Sequence, residues 1–556
     1  MHHFEVIKRI DKFNLNSAAK TLGKKVTGKF YTHEIIGRNL ARSLCAEVGG
    51  SSKKVSVIDP FCGDGRLICW FLEEFANQAG RSVVAVHLWD YDAAAVKLAR
   101  KNVSAVASKL GVKIDLNTKS VNTFHESTDH YGAYSVCITN PPWELLKPDR
   151  RDLAELSSVE RIAYIEKLRE EDAFLAAEYP LSQPLRRFSG WGTNLARVGT
   201  EVALKLTAES GLCGIVLPAS FVADQMSVTL REWMLGQCRL RKISHYPAEA
   251  RLFDNVDQAS VSIVLRKSKP ARFSAIAETY DRRAELHESA RITIRKSQLI
   301  AWNHALPVNY GPSGINLLAN LSGLPRIADF ESPVGAGLWT GREIDETNSK
   351  SYLSVHGRHK FVKGRMIGRF GIVETPRYSV NGAGPAVPSS ANHTRLAWRD
   401  VSRPNQKRRM IAALIPSGWV AGNSLHVAYF RDGDEQKLKA LLVIMNSFCF
   451  EFQIRSLLAT SHMSVGVVRR ARVPDLSDTK LVSQLSAIAD ACMNGGTNAE
   501  SLAEAVCARC YGFSLFEFKT VLSCFPKVEN AEVETIANKG NWSRAIEITN
   551  NISACR

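Results

Sequence analysis

The chain's 556 residues are too many for one hydrophobic core and point to two or three domains. The apolar fraction of 45% is ordinary for a globular protein, and no apolar run reaches the roughly 18 residues that a membrane-spanning helix needs. Lys and Arg total 72 against 55 Asp and Glu, and the resulting formal charge of +17 favours a polyanionic partner. Residues Met1 to Lys8 lack the apolar stretch of a signal peptide, so a soluble cytoplasmic protein is expected.

In chain order, the first clear pattern is an apolar strand, Val55 to Asp59. It runs into a Gly-rich turn, Pro60-Phe61-Cys62-Gly63-Asp64-Gly65-Arg66, and then into the helix-like stretch Leu67 to Leu72. A strand, a Gly-rich turn and a helix in sequence make a nucleotide-binding unit, and the two glycines allow a ligand to approach the backbone closely. The spacing differs from Gly-x-Gly-x-x-Gly, so a dinucleotide is not the favoured guest. A second strand, Val83 to Trp89, ends in Asp90, a position from which a carboxylate commonly grips ribose hydroxyls.

A third apolar run, Tyr134 to Thr139, ends in Asn140-Pro141-Pro142-Trp143. The Asn side-chain oxygen and the carbonyl of Pro141 can each accept one hydrogen of an exocyclic amine, while the aromatic ring stacks on the plane that carries it. The prolines stiffen the turn and end the strand, which fixes the acceptors where ligands bind in an open α/β sheet. A plain strand-ending turn is the competing reading of the same four residues. The segment from Glu144 to Arg197 is longer and more charged than a tight connection requires, and reads either as helices flanking the mouth of a site or as a surface insertion.

Further along, a boundary falls near Lys267 to Pro270, where the pattern becomes irregular. Between Val355 and Met410 lie Arg358, Lys360, Lys363, Arg365, Arg369, Arg377, Arg395, Arg399, Arg403, Lys407, Arg408 and Arg409, opposed only by Glu374 and Asp400. With Phe361, Phe370, Tyr378 and Trp398 interspersed, this stretch is expected to face a phosphate backbone. A Pro/Gly/Ser-rich loop, Val380 to Asn392, interrupts it. From Leu481 onward helical periodicity dominates. The twelve cysteines are scattered, many within apolar runs, and read as reduced buried thiols. Cys507 and Cys510 have no second pair at zinc spacing, so no metal site is expected.

The ordered motifs resemble the gamma class of N6-adenine DNA methyltransferases, which use S-adenosyl-L-methionine. Gly28 to Gly37, containing Phe30-Tyr31-Thr32-His33, resembles the motif that precedes the Gly-rich turn in that class, with His33 where the family usually has Pro. The resemblance implies that Phe30, Tyr31 and Thr32 contact the methionine end of the cofactor. It places Asp59, Pro60, Phe61, Gly63 and Gly65 along the cofactor, Asp90 on its ribose and Asn122 near its adenine ring. Asn140, Pro141, Pro142 and Trp143 would hold a flipped adenine, with Phe253 on the far face of the base unless that ring is simply core. A cysteine nucleophile in a Pro-Cys pair, typical of cytosine C5 methylation, does not occur in the chain.

The implied fold class is α/β: a Rossmann-like S-adenosylmethionine-dependent methyltransferase domain over residues 1–270, a mixed α+β DNA target-recognition domain over 271–478 and a helical segment over 479–556. Gly335 to Arg342, Asn446 to Arg455 and His462 to Pro474 resemble parts of the recognition region in type II, including type IIS, restriction-modification methyltransferases. The implied partners are double-stranded DNA and a separate cognate restriction endonuclease, in a bacterial, nucleoid-associated setting. A combined nuclease and methyltransferase is not expected, because the cofactor motifs start early in the chain. An RNA base or a protein glutamine as the amine acceptor, or a catalytically inactive DNA-binding homologue, remain as alternatives.

Overall fold

The structure is a computed structural model that describes residues 31–48, 54–77, 83–148, 153–154, 156–184, 191–253, 258–380, 387–403, 406–458, 461–496, 498–525, 527–550 and 552. Phe30 lies outside the described residues. The chain divides into two compact units after Pro312.

The first unit is built on a nine-stranded sheet: β1 (Lys54–Asp59), β2 (Val83–Asp90), β3 (Lys113–Ser120), β4 (Tyr134–Thr139), β5 (Thr207–Pro218), β6 (Arg239–Tyr246), β7 (Ser260–Arg266), β8 (Phe273–Tyr280) and β9 (Leu286–Ile294). Their order across the sheet is β3-β2-β1-β4-β5-β7-β6-β8-β9. Strands β1 to β5 run parallel to one another, and β7 runs antiparallel between β5 and β6. In β1 and β2 the side chains of Val55, Val57, Ile58, Val84, Val86 and Leu88 are all buried, which explains why these strands read as continuous apolar runs.

Helices α1 (Glu34–Val48), α2 (Arg66–Ala76) and α3 (Ala93–Leu110) share one core with β1, β2 and β4, through Ile36, Leu40, Phe71, Ala99, Val57, Val84 and Val136. The buried positions of α1, Ile36, Leu40, Leu44 and their neighbours, recur at helical spacing. Asp92 caps the start of α3 by accepting from the Ala94 N–H at 2.8 Å, and Gly111 ends it at a φ of 65°. The chain moves outward from β1 to β3 on one side and then from β4 to β5 on the other, so the strand order reverses between β1 and β4.

The first unit extends past the boundary expected at residue 270. The irregular residues around Lys267 to Pro270 form a turn inside the sheet, after which β8 pairs in parallel with β6 and antiparallel with β9. Phe273, Ala275 and Ala277 are buried in alternation, the two-residue period of a sheet with one covered face.

The second unit holds two four-stranded sheets. One has the order β10-β17-β14-β15, from β10 (Leu338–Gly341), β14 (Arg395–Arg399), β15 (Ala412–Ile415) and β17 (Leu425–Phe430). The other has the order β11-β13-β12-β16, from β11 (Leu353–Ser354), β12 (His359–Val362), β13 (Ser379–Val380) and β16 (Val420–Ala421). Helices follow, including Glu435–Met445, Phe448–Leu457, Thr479–Met493 and Ala499–Cys510. Thr479–Met493 packs on Glu435–Met445, so the helices beyond 479 belong to the same compact unit as the strands before them. Among the described residues no single helix is long and apolar enough to cross a membrane.

Candidate active site

Strands β1 and β4 are neighbours where the strand order reverses, and their carboxyl ends open on one cleft, the usual ligand position in such sheets. Asp59 closes β1 and is 1% exposed. One of its oxygens accepts from the Thr139 hydroxyl at 2.8 Å and from the Phe61 N–H at 3.2 Å. The other is buried with no hydrogen-bond partner. Burial raises the Asp59 carboxyl to about 7, against the opposing bonds from Thr139 and Phe61. A buried orphan oxygen on a group that carries a proton part of the time near neutrality is suited to a polar ligand atom.

The turn after β1 is stapled to the end of β2. Gly63 N–H donates to Asp90 at 2.9 Å, Cys62 N–H to the Trp89 carbonyl at 2.9 Å, and Asp92 N–H to the second Asp90 oxygen at 2.9 Å. Gly63 and Gly65 have φ of 50° and 80°, which a side chain disfavours, and a Cβ on Gly65 would stand 3.0 Å from the Cα of Ala99 on α3. Gly65 therefore brings α2 and α3 together, while Gly63 lines the cleft.

Arg66 ties the preceding segment to this turn. Its guanidinium stacks 4.6 Å over the Tyr31 ring, donates to the Thr32 carbonyl at 3.1 Å and pairs with Asp64 at 2.6 Å. Tyr31, Thr32, Asp59, Phe61, Gly63 and Asp90 thereby line one cleft together with Asn140 and Pro142. These are residues read from four separate stretches of sequence.

Other expected residues stand elsewhere. The Pro60 carbonyl accepts from the Thr123 hydroxyl, and it is Thr123 that lines the cleft. Asn122 is the cap of the short helix α4 (Thr123–Glu126): its oxygen accepts from the Phe124 N–H at 3.1 Å and its amide donates to Glu171 at 3.1 Å. Arg66, Tyr91, Asp92 and Thr123 line the cleft although the motifs alone do not mark them. Arg66 and Asp64 are visible in sequence as charges flanking Gly65, whereas Thr123 has no signal beyond its place after β3.

Beyond Trp143 the chain turns back on the start of α6 (Leu195–Leu206), with Leu146 N–H donating to Thr193 at 2.9 Å and Leu195 N–H to Glu144 at 2.8 Å. Pro141 packs on Gly199 of α6 so closely that a Cβ there would lie 2.3 Å from the Pro141 Cβ. The intervening helix α5 (Ser158–Glu178) presents Glu171 to Asn122 and to His125 at 3.0 Å, with Phe174 stacked on His125. The long insertion is thus a wall packed on the loop after β3. Trp143 and Phe253 touch each other, with ring centroids 4.7 Å apart and planes tilted by 54°. That separation leaves no space for a base between them, so a base stacked on both requires the rings to part.

In the second unit the basic stretch divides in two, which corrects the expectation that it faces DNA throughout. Arg395 is fully buried and paired with buried Glu343 at 3.1 Å. Arg408 pairs with Glu451 and Glu504, Arg369 with Glu500 and Glu504, and Arg399 and Arg409 donate to the chain itself. Arg358, Lys360, Arg377 and Arg403 are exposed. Every acidic partner of the buried set lies outside the Val355 to Met410 window, so a local count of charge could not find it. Cys507 and Cys510 are buried in their helix.

Residues 5–175 match the family described as N-6 DNA Methylase. The sheet order and the cleft agree with this match: the first unit has a Rossmann-like α/β fold, and the match falls on the part of it that carries the Gly-rich turn and the Asn-Pro-Pro-Trp turn. No curated protein matches the chain in sequence. Among solved structures, the chain is similar to the type IIG restriction endonuclease BpuSI, at 13% identity over 92% of this chain and 66% of that one, with a TM-score of 0.42. It is similar to the type IIL restriction-modification enzyme MmeI in complex with DNA, at 10% identity over 98% and 75% of the two chains, with a TM-score of 0.47. It is also similar to a type I restriction-modification methyltransferase subunit from Streptococcus thermophilus, at 17% identity over 46% and 49%, with a TM-score of 0.32. The chain spans less than two thirds of the length of BpuSI and about half that of the Streptococcus subunit.

Proposed function

We propose that this chain is a site-specific DNA methyltransferase that moves the methyl group of S-adenosyl-L-methionine to N6 of adenine. The observation that carries the reading is that Asn140 and Pro142 line the same cleft as Asp59, Gly63 and Asp90, so an amine held by the turn and a cofactor held by the Gly-rich loop meet in one space. The residues present fit the cofactor. Asp59 keeps a buried oxygen without a partner, Gly63 leaves room for close approach, and Asp90 ends β2 on the same cleft, from where a carboxylate can grip a ribose.

When bound, the cofactor supplies an electrophilic methyl group on a sulfonium. The chain's own residues do the rest. The Asn140 oxygen and the Pro141 carbonyl accept the two amine hydrogens and leave the nitrogen lone pair directed into the cleft. Trp143 stacks on the base after it leaves the duplex, with Phe253 as the opposite wall once the two rings have parted, offsetting an unstacking cost of about a few kcal/mol. Tyr31 and Thr32, fixed by Arg66, cover the methionine end. Much of the rate then comes from holding two reactants in contact.

By role, residues up to about the end of the large sheet form the catalytic part, the strands of the second unit read the target, and the helices after 479 support them. The exposed cations of the second unit suit duplex DNA as the partner. A separate restriction endonuclease of the same specificity is the companion this function calls for, and no step of it needs a metal. Asn140→Ala is expected to lower methyl transfer by about 100-fold or more while DNA affinity, measured by fluorescence anisotropy, stays near that of the wild type. Unchanged turnover would remove the turn from the chemistry.

A further inference from the structure

The second unit gathers three donors on one buried carboxylate. Asp400 follows β14 and is 4% exposed. One oxygen accepts from His426 Nε2 at 2.9 Å, and the other from Arg342 Nη2 at 3.0 Å and His462 Nδ1 at 3.0 Å. Arg342 Nε also donates to His426 Nδ1 at 3.3 Å. Burial alone would raise the Asp400 carboxyl, but the hydrogen bonds from His426 and His462 and the charge of Arg342 hold it at about 2, so the anchor stays ionised.

The donors are not alike. His426 is buried, whereas the side chains of Arg342 and His462 are 50% and 59% exposed. The Met463 N–H donates to the Asp400 carbonyl and the Ser402 N–H to the Ser461 carbonyl, so exposed Val401 and Arg403 lie on the same ridge. The buried Asp400 and His426 pair is enough to tie the strands together. Half-exposed ion pairs add little stability, so a structural cross-link does not account for two such donors aimed at one oxygen. What the arrangement supplies is orientation. A guanidinium held at two of its nitrogens has lost its rotamer freedom before a partner arrives, while half of the side chain stays open to solvent.

We propose that Arg342, held by Asp400 and His426 and flanked by His462 and Arg403, makes a fixed contact to an electronegative acceptor of duplex DNA, either a backbone phosphate or the O6 and N7 edge of a guanine. This rests on the DNA reading above. The segment that begins the recognition region and the segment that closes it thus meet on one carboxylate supplied by β14, a convergence that spacing in sequence does not disclose.

The test uses the full chain and two probes: a poly(dA-dT) duplex, which has no guanine, and an oligonucleotide duplex carrying the site that the chain methylates. Binding is measured over a range of salt for the wild type, Arg342→Gln and Asp400→Asn, with melting temperature and S-adenosylmethionine affinity as controls. Arg342→Gln, a change at a half-exposed position, is expected to weaken DNA binding by about tenfold without moving either control. A phosphate partner shows as the same loss on both duplexes with the salt slope reduced by about one. A guanine partner shows as a loss on the site duplex alone, with relaxed sequence preference. Asp400→Asn is expected to weaken binding in the same sense. Wild-type binding of both duplexes by Arg342→Gln overturns the inference and leaves the DNA reading standing, whereas a wild-type chain that binds neither duplex overturns both.

Discussion

Asp59 shows how much a single residue's surroundings add to its identity. In sequence it is the acid that ends an apolar strand before a Gly-rich turn. In the structure it is bonded to Thr139, eighty positions away, and desolvated enough to titrate at about 7 instead of the ordinary 3.8. Between those two pH values the folded chain keeps a proton that the unfolded chain releases, so this group's contribution to stability is present at low pH and lost as pH rises through the window. Asp59→Asn keeps an acceptor for Thr139 and Phe61 and removes the titration. The wild type is expected to lose stability relative to Asp59→Asn between pH 4 and 7 in parallel denaturation curves, a span of roughly the two pKa values. A pH-independent difference would mean that the carboxyl is solvated.

Among elements, α6 controls the turn that follows β4. The Asn-Pro-Pro-Trp turn was legible because its chemistry is local: four consecutive residues supply acceptors, stiffness and a ring. Its support was not, because Gly199 is an ordinary glycine in a helix fifty-eight positions downstream, and only its contact with Pro141 gives it meaning. An Ala in a helix is intrinsically favoured over Gly by roughly 1 kcal/mol, so Gly199→Ala would strengthen an isolated α6. Against Pro141, however, a Cβ at 2.3 Å forces the turn to move. A shift of about 1 Å at a reacting group costs about 100-fold in rate. Gly199→Ala is therefore expected to slow single-turnover methylation by roughly one to two orders of magnitude while cofactor affinity holds. A wild-type rate would show that the turn does not depend on α6. The same distinction between local and distant partners explains Asn122: its place after β3 was readable, but its use as a helix cap depends on where the next turn begins.

At the scale of the whole molecule, the charge of +17 is a sum over cations with different work. The sequence pointed to an α/β catalytic part followed by a basic second half, and the sheet order agrees with the first of these. Which cations meet solvent was not legible, since Glu343, Glu451 and Glu504 reach the basic stretch only through the fold. The two groups should respond in opposite ways. Arg395→Ala leaves Glu343 buried without its charge partner, a loss of about 3–5 kcal/mol, and is expected to lower the unfolding midpoint. Replacing Arg358, Lys360 and Arg377 together by Gln is expected to leave the midpoint in place and weaken binding to every duplex. Its salt dependence should flatten by about one unit for each phosphate that the variant no longer neutralises. An unchanged midpoint in Arg395→Ala, or an unchanged salt slope in the triple variant, would contradict the division.

The central claim is tested most directly by incubating the purified chain with methyl-labelled S-adenosylmethionine and unmethylated bacterial DNA, digesting to nucleosides and identifying the one that carries label. Label in N6-methyldeoxyadenosine, at positions that share one sequence, is the expected result. Absence of label from DNA, with label in RNA or protein in a parallel incubation, would leave the fold intact and contradict the assigned substrate.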